Sequence, residues 1–203
     1  MLEQILTQAD LTFAGDVPQV LARVISGPVN NFEETITIDK GSDDGIREGM
    51  AAVTGAGLVG RVDRVTSSTA VIRLVTDPRM LVGALLVTTG DQGLVEGRGR
   101  GQPPALQVSG RVELIDGDRI QTSGLATSIY PPDVPIGRVV GVEPPEATDD
   151  ADPDATTTTT VEGGPGVTFP SLDAVQTQRV EVELSANLDR LSWVTILLWE
   201  PAT

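Results

Sequence analysis

Chemistry needs a reactive group, and this sequence holds few. Neither His nor Cys occurs among its 203 residues. That removes the usual general base, the thiolate nucleophile and the common transition-metal ligands together. Attack by a serine hydroxyl needs a nearby base, normally an imidazole. The single lysine, Lys40, could stand in, but Asp39-Lys40-Gly41 reads as a strand end with a solvated ammonium. The 29 acids make some close carboxylate pair inevitable, yet no spacing singles out a pair for glycoside hydrolysis. No catalytic residue and no cofactor are expected.

Two motifs suggest a ligand and then lose the suggestion. Gly55-Ala56-Gly57-Leu58-Val59-Gly60 has the spacing of a dinucleotide fingerprint. The fingerprint needs a helix after the glycines, whose amino end cradles the pyrophosphate. Arg61-Val62-Asp63-Arg64-Val65-Thr66 follows instead, rich in β-branched residues, so a tight turn between strands is the better account. Asp150, Asp152 and Asp154 resemble the start of a calcium loop. Its sixth position holds Ala155 rather than Gly and its twelfth Val161 rather than Glu, so no metal site is assigned.

The formal net charge of −15 argues against nucleic acid, which needs clustered Lys and Arg. It equally opposes adhesion to an anionic membrane surface. No apolar run approaches the roughly 20 residues that span a bilayer. Glu3 and Asp10 stand where a signal peptide would carry basic and apolar regions.

The elements are strands. Aromatics are only 3 % of residues, so Val, Ile and Leu must fill the interior, and β-branched side chains suit a pleated surface. Short apolar runs at 17–26, 34–40, 50–54, 58–66 and 69–76 form a first group. A second comprises 82–89, 93–97, 106–114, 119–123, 135–142 and 179–184, and 193–199 is last. The clearest alternation is Val180, Val182 and Leu184 against Glu181 and Glu183. Twelve strands divide into two six-stranded barrels if 193–199 returns to the first group. Its nearly continuous apolar character suits a strand covered on both faces.

The fold class is therefore all-β: two small six-stranded β-barrels with a short N-terminal helix stub. Residues 1–16 form the stub, with Leu2, Ile5, Leu6, Ala9 and Phe13 at helical spacing. It reads either as the end of a coiled coil or as a docked, frayed terminus. Residues 17–77 form the first barrel, closed by 193–199, and 78–192 the second. An acidic insert at 144–178 carries seven acids, no bases and five prolines, and is expected to be disordered. Val59-Gly60-Arg61-Val62 and Ile136-Gly137-Arg138-Val139 form a weak internal repeat.

Ordered blocks across both halves carry a resemblance. They include Asp39-Lys40-Gly41, Asp44-Gly45-Ile46, Glu48-Gly49-Met50, Gly57-Leu58-Val59-Gly60-Arg61-Val62 and Asp77-Pro78. Gly117-Asp118, Gly124, Tyr130-Pro131-Pro132, Pro135-Ile136-Gly137-Arg138-Val139 and Leu188-Asp189-Arg190-Leu191 continue it. Together they resemble the rod shape-determining MreC family. The resemblance implies the extracytoplasmic part of a single-pass protein of the bacterial cytoplasmic membrane. The cytoplasmic tail, membrane helix and coiled coil would then lie upstream, and the 203 residues themselves would be soluble.

It also implies a non-enzymatic scaffold of the cell-wall elongation complex. Partners would be a class B penicillin-binding transpeptidase, MreD, MreB and further copies. Apart from the resemblance, strand addition at a barrel edge is one route to self-association. The insert is longer and more acidic than the family's usual connection, and 102–110 is shortened. Asp39, Gly41, Gly45, Gly49, Gly57, Gly60, Arg61, Asp77, Pro78, Gly117, Asp118, Gly124, Pro135, Gly137 and Arg138 are expected to serve architecture, as turn and close-packing residues. Partner-contacting residues are not identifiable from these motifs. Two other readings stand beside the scaffold: a peptidoglycan- or glycan-binding module, and a degenerate protease-like double barrel.

Overall fold

The computed structural model describes residues 11, 13–27, 34–110, 112–124, 130–142 and 177–199. Most of the expected N-terminal helix stub and almost all of the acidic insert therefore lie outside the described residues, and the described residues 13–16 form a turn.

Among the described residues, twelve antiparallel strands close into two barrels of six. The first comprises β1 (Gln19–Ser26), β2 (Thr35–Ile38), β3 (Ala51–Thr54), β4 (Gly57–Val65), β5 (Ala70–Leu74) and β12 (Trp193–Leu197). The second comprises β6 (Leu81–Leu86), β7 (Gln92–Glu96), β8 (Ala105–Ser109), β9 (Arg119–Thr122), β10 (Pro135–Val140) and β11 (Thr177–Leu184). Around the first barrel the order is β1-β12-β3-β4-β5-β2, and around the second β10-β11-β8-β7-β6-β9. Helix among the described residues is confined to two 3-10 turns, Ser42–Asp44 and Leu188–Arg190.

Two strands stop earlier than their apolar runs suggest. β8 ends at Ser109 because Gly110 turns to φ 95°, and β10 ends at Val140 before Gly141 at φ 68°. Left-handed glycine breaks the ladder although Val112, Leu114 and Val142 still pack on the core. β11 begins at Thr177, two residues inside the span expected to be insert.

Closure leaves no free sheet edge among the described strands. Association of copies by strand addition would need an edge that these described strands do not offer.

Alternating side chains fill each barrel. Ile38, Ile72, Val59, Val62, Val194 and Ile196 occupy the first interior. In the second, Leu86, Val95, Leu106, Ile120, Ile136 and Val182 do the same. The second cluster extends beyond its barrel to Ala51, Val53, Leu58, Val75 and Leu197, which face outward from the first. β12 is thus apolar at successive positions because Val194 and Ile196 line one barrel while Leu197 meets the other. The two barrels share one apolar seam.

The internal repeat has a common geometry. In β4 the register slips between Ala52 and Val53, leaving Val59 as the extra residue before Gly60. In β10 it slips between Pro135 and Gly137, leaving Ile136 as the extra residue before Gly137. A bulge followed by glycine bends a strand sharply enough to turn a small barrel's corner. A Cβ on Gly60 would overlap the Arg73 carbonyl, and one on Gly137 the Glu183 carbonyl.

Candidate functional site

The fifteen motif residues do not converge on one place. Asp39, Gly41, Gly45 and Gly49 shape the loop between β2 and β3. There Asp39 accepts a hydrogen bond from the Arg23 backbone at 2.8 Å, and Asp44 accepts from the Gly41 backbone at 3.1 Å. A Cβ on Gly41 would overlap the Thr66 and Ser67 carbonyls. Gly57 meets the Pro135 carbonyl where β4 of one barrel crosses β10 of the other. Arg61 lies beside Tyr130, whose hydroxyl is pushed up to about 12 by burial, against the opposing pull of the Arg61 charge.

Asp77 and Pro78 sit where the chain first crosses between barrels. Asp118 takes hydrogen bonds from the Thr88 backbone at 3.2 Å and hydroxyl at 2.6 Å, tying one end of the second barrel. Gly117 precedes it at φ 82°, and Gly124 packs on Pro132. Arg138 pairs with Glu183 at 3.1 Å on exposed surface.

Lys40 donates to Asp44 at 2.9 Å, and that hydrogen bond and charge raise the lysine pKa, the opposite of what a lysine base requires. The same contact lowers the Asp44 pKa, with help from the Gly41 backbone. The glycines at 55–60 lead into β4 rather than a helix. Among the described residues, no group of three or more acidic side chains is placed to hold a metal ion.

A cleft of about 550 Å³ between the barrels is lined by Glu34, Leu74 and Thr76 of the first barrel. Residues 100–104 and 182–189 complete its walls, so it includes none of the fifteen motif residues.

A different surface stands out by its chemistry. On β6 the interior takes Val82, Ala84 and Leu86, leaving Leu81, Gly83 and Leu85 outside. Register places Leu81 opposite Glu96, Gly83 opposite Leu94 and Leu85 opposite Gln92. Leu81 is 57 % exposed and Leu94 48 %. Gln107 lies across from Leu94 on β8, and Gln121 across from Leu85 on β9.

A shallow depression of about 350 Å³ over Gly83 and Leu94 is lined by apolar, amide and hydroxyl groups without a charge. Two acids at its margin are already engaged: Glu96 by Gln107 and by Arg179 at 3.4 Å, and Asp133 by Gln121 at 2.6 Å. On a chain of net charge −15, a neutral face centred on exposed leucines has the composition of an interface core.

The motif residues do not point to this face. Its sequence signal is the run Leu81-Val82-Gly83-Ala84-Leu85-Leu86, apolar on both sides of a strand. Such a run in a barrel wall leaves apolar side chains on the outer face, where a partner can cover them.

Comparison with known proteins agrees with this architecture. The cell shape-determining protein MreC of Cereibacter sphaeroides is 32 % identical over 117 residues, covering 57 % of this chain and 38 % of that protein. The chain thus spans well under half the length of this relative. The solved MreC of Listeria monocytogenes superposes with a TM-score of 0.70 at 23 % identity, covering 100 % of this chain and 85 % of that one. A solved complex between a penicillin-binding protein and MreC from Helicobacter pylori matches at TM-score 0.58 and 13 % identity, covering 90 % and 99 % of the two chains. The family described as rod shape-determining protein MreC, barrel core, matches residues 24–176. With that match running over well more than half of its length, this chain belongs to the MreC family.

Proposed function

We propose that this chain is the extracytoplasmic portion of a membrane-anchored, non-enzymatic scaffold that controls cell shape by binding a class B penicillin-binding transpeptidase within the cell-wall elongation complex. MreD, MreB and further copies of the chain complete its partners. Residues 17–77 with 193–199 and residues 78–192 act as its two domains. The fifteen motif residues serve these domains as turn and close-packing positions.

The observation that carries the proposal is the neutral, leucine-centred face of β6 and β7 on a strongly acidic protein. Family membership supplies the partner class, and the penicillin-binding protein solved with the Helicobacter pylori relative supports it. Apolar association tolerates salt, whereas charge-steered association does not. The test is capture of purified class B transpeptidase ectodomains by the immobilised chain, at low and at raised salt. Retention at both is expected; failure of every ectodomain to bind would reject the proposal.

A further inference from the structure

The chain crosses between the barrels twice, at 75–80 and at 185–192. The apolar seam holds the barrels together, but burial is non-directional and does not by itself set a rotation angle. Directional bonds must do so, and they concentrate at the first crossing.

Asp77 is fully buried there. Its carboxylate accepts from the Glu34 backbone at 3.3 Å, the Arg79 backbone at 2.9 Å, and the Arg79 guanidinium through Nε and Nη2 at 3.1 Å each. Glu34, just before β2, in turn accepts from the Thr76 hydroxyl at 2.7 Å and the Leu74 backbone at 2.8 Å. These bonds tie the crossing to the first barrel. The second barrel holds it through Gly99, which donates to the Thr76 carbonyl at 2.8 Å, and Gly97, which donates to the Met80 carbonyl at 3.2 Å. A Cβ on Gly97 would overlap the Asp77 carbonyl.

We propose that this crossing is a latched joint, in which the Asp77 carboxylate sets the angle between the barrels while the apolar seam acts as the bearing. The inter-barrel cleft is bounded by both crossings, so its width follows that angle. With the latch intact the β6–β7 face is held in one orientation relative to the first barrel. With it broken, the barrels stay in contact and their relative rotation spreads.

The sequence has no cysteine, so spin labels can be placed on the whole chain at two chosen exposed sites. R64C on β4 and Q92C on β7 report one barrel each. Double electron–electron resonance should give a narrow distance distribution in the parent, and Asp77→Asn should broaden it about twofold or more. Asp118→Asn removes a similarly buried carboxylate away from the joint and should leave the distribution narrow. Thr76→Val keeps the side-chain shape and deletes only the bond to Glu34, so it reads the joint if Asp77→Asn does not fold; broadening is again expected. Distributions unchanged in the Asp77 and Thr76 variants, or broadened equally by Asp118→Asn, would overturn the proposal.

Discussion

Replacing Leu81 and Leu94 together with serine tests the proposed binding face most directly. Fully burying a leucine side chain contributes about 1.5–3 kcal/mol. Leu81 has 57 % and Leu94 48 % of that burial still to gain in a complex. About 1 kcal/mol is then at stake at each position, and the pair together accounts for about 2 kcal/mol, or roughly 30-fold in Kd. Because both side chains point away from the interior, the fold should lose no more than about 1 kcal/mol at each site.

Isothermal titration of the double variant against a transpeptidase ectodomain measures the loss, and thermal unfolding confirms that the barrel is intact. Ile25→Ser provides the control, since Ile25 is 54 % exposed but belongs to β1 of the other barrel. A double variant binding within about twofold of the parent would refute the assignment of this face. So would an equal loss in the Ile25 variant.

Gly60→Ala and Gly137→Ala should each destabilise the chain by about 2–3 kcal/mol in urea titrations, because the new methyl meets backbone carbonyls of the adjacent strand that cannot move alone. Stability should fall in acid. For Asp77, burial pushes the pKa upward, but hydrogen bonds from Arg79 and the Glu34 backbone, with the Arg79 charge, outweigh it and leave the pKa lowered. A carboxylate depressed in the folded state contributes stability above its unfolded pKa and loses it as pH falls through the folded one. Melting temperature should therefore decline below about pH 4, and Asp77→Asn should flatten that decline. Lys40→Gln should leave the melting temperature close to the parent's and ectodomain binding unchanged, since its pair with Asp44 lies at the solvent boundary.

Much of the fold is legible one strand at a time. β11 declares itself because Glu181 and Glu183 are exposed between Val180, Val182 and Leu184. A local pattern cannot say which second face will be covered. β6 and β12 share an almost unbroken apolar texture, yet Leu197 is sealed by the neighbouring barrel while Leu81 faces solvent. The difference is set by tertiary neighbours. The proposed binding face is therefore invisible to motif reasoning although its residues are plainly apolar. Asp77 is a similar case: Asp-Pro reads as a turn, but its bond to the Glu34 backbone spans 43 residues.

The position of β12 between β1 and β3 bears on how the chain is made. The second barrel is drawn from one uninterrupted stretch, 81–184, whereas the first needs strands from either side of it. A nascent chain emerging amino end first can complete the later barrel while the earlier one still gapes, with β1 and β3 unpaired on the sides that await the final strand. Loss of β12 alone would leave that gap permanent and present two sticky edges to any passing strand.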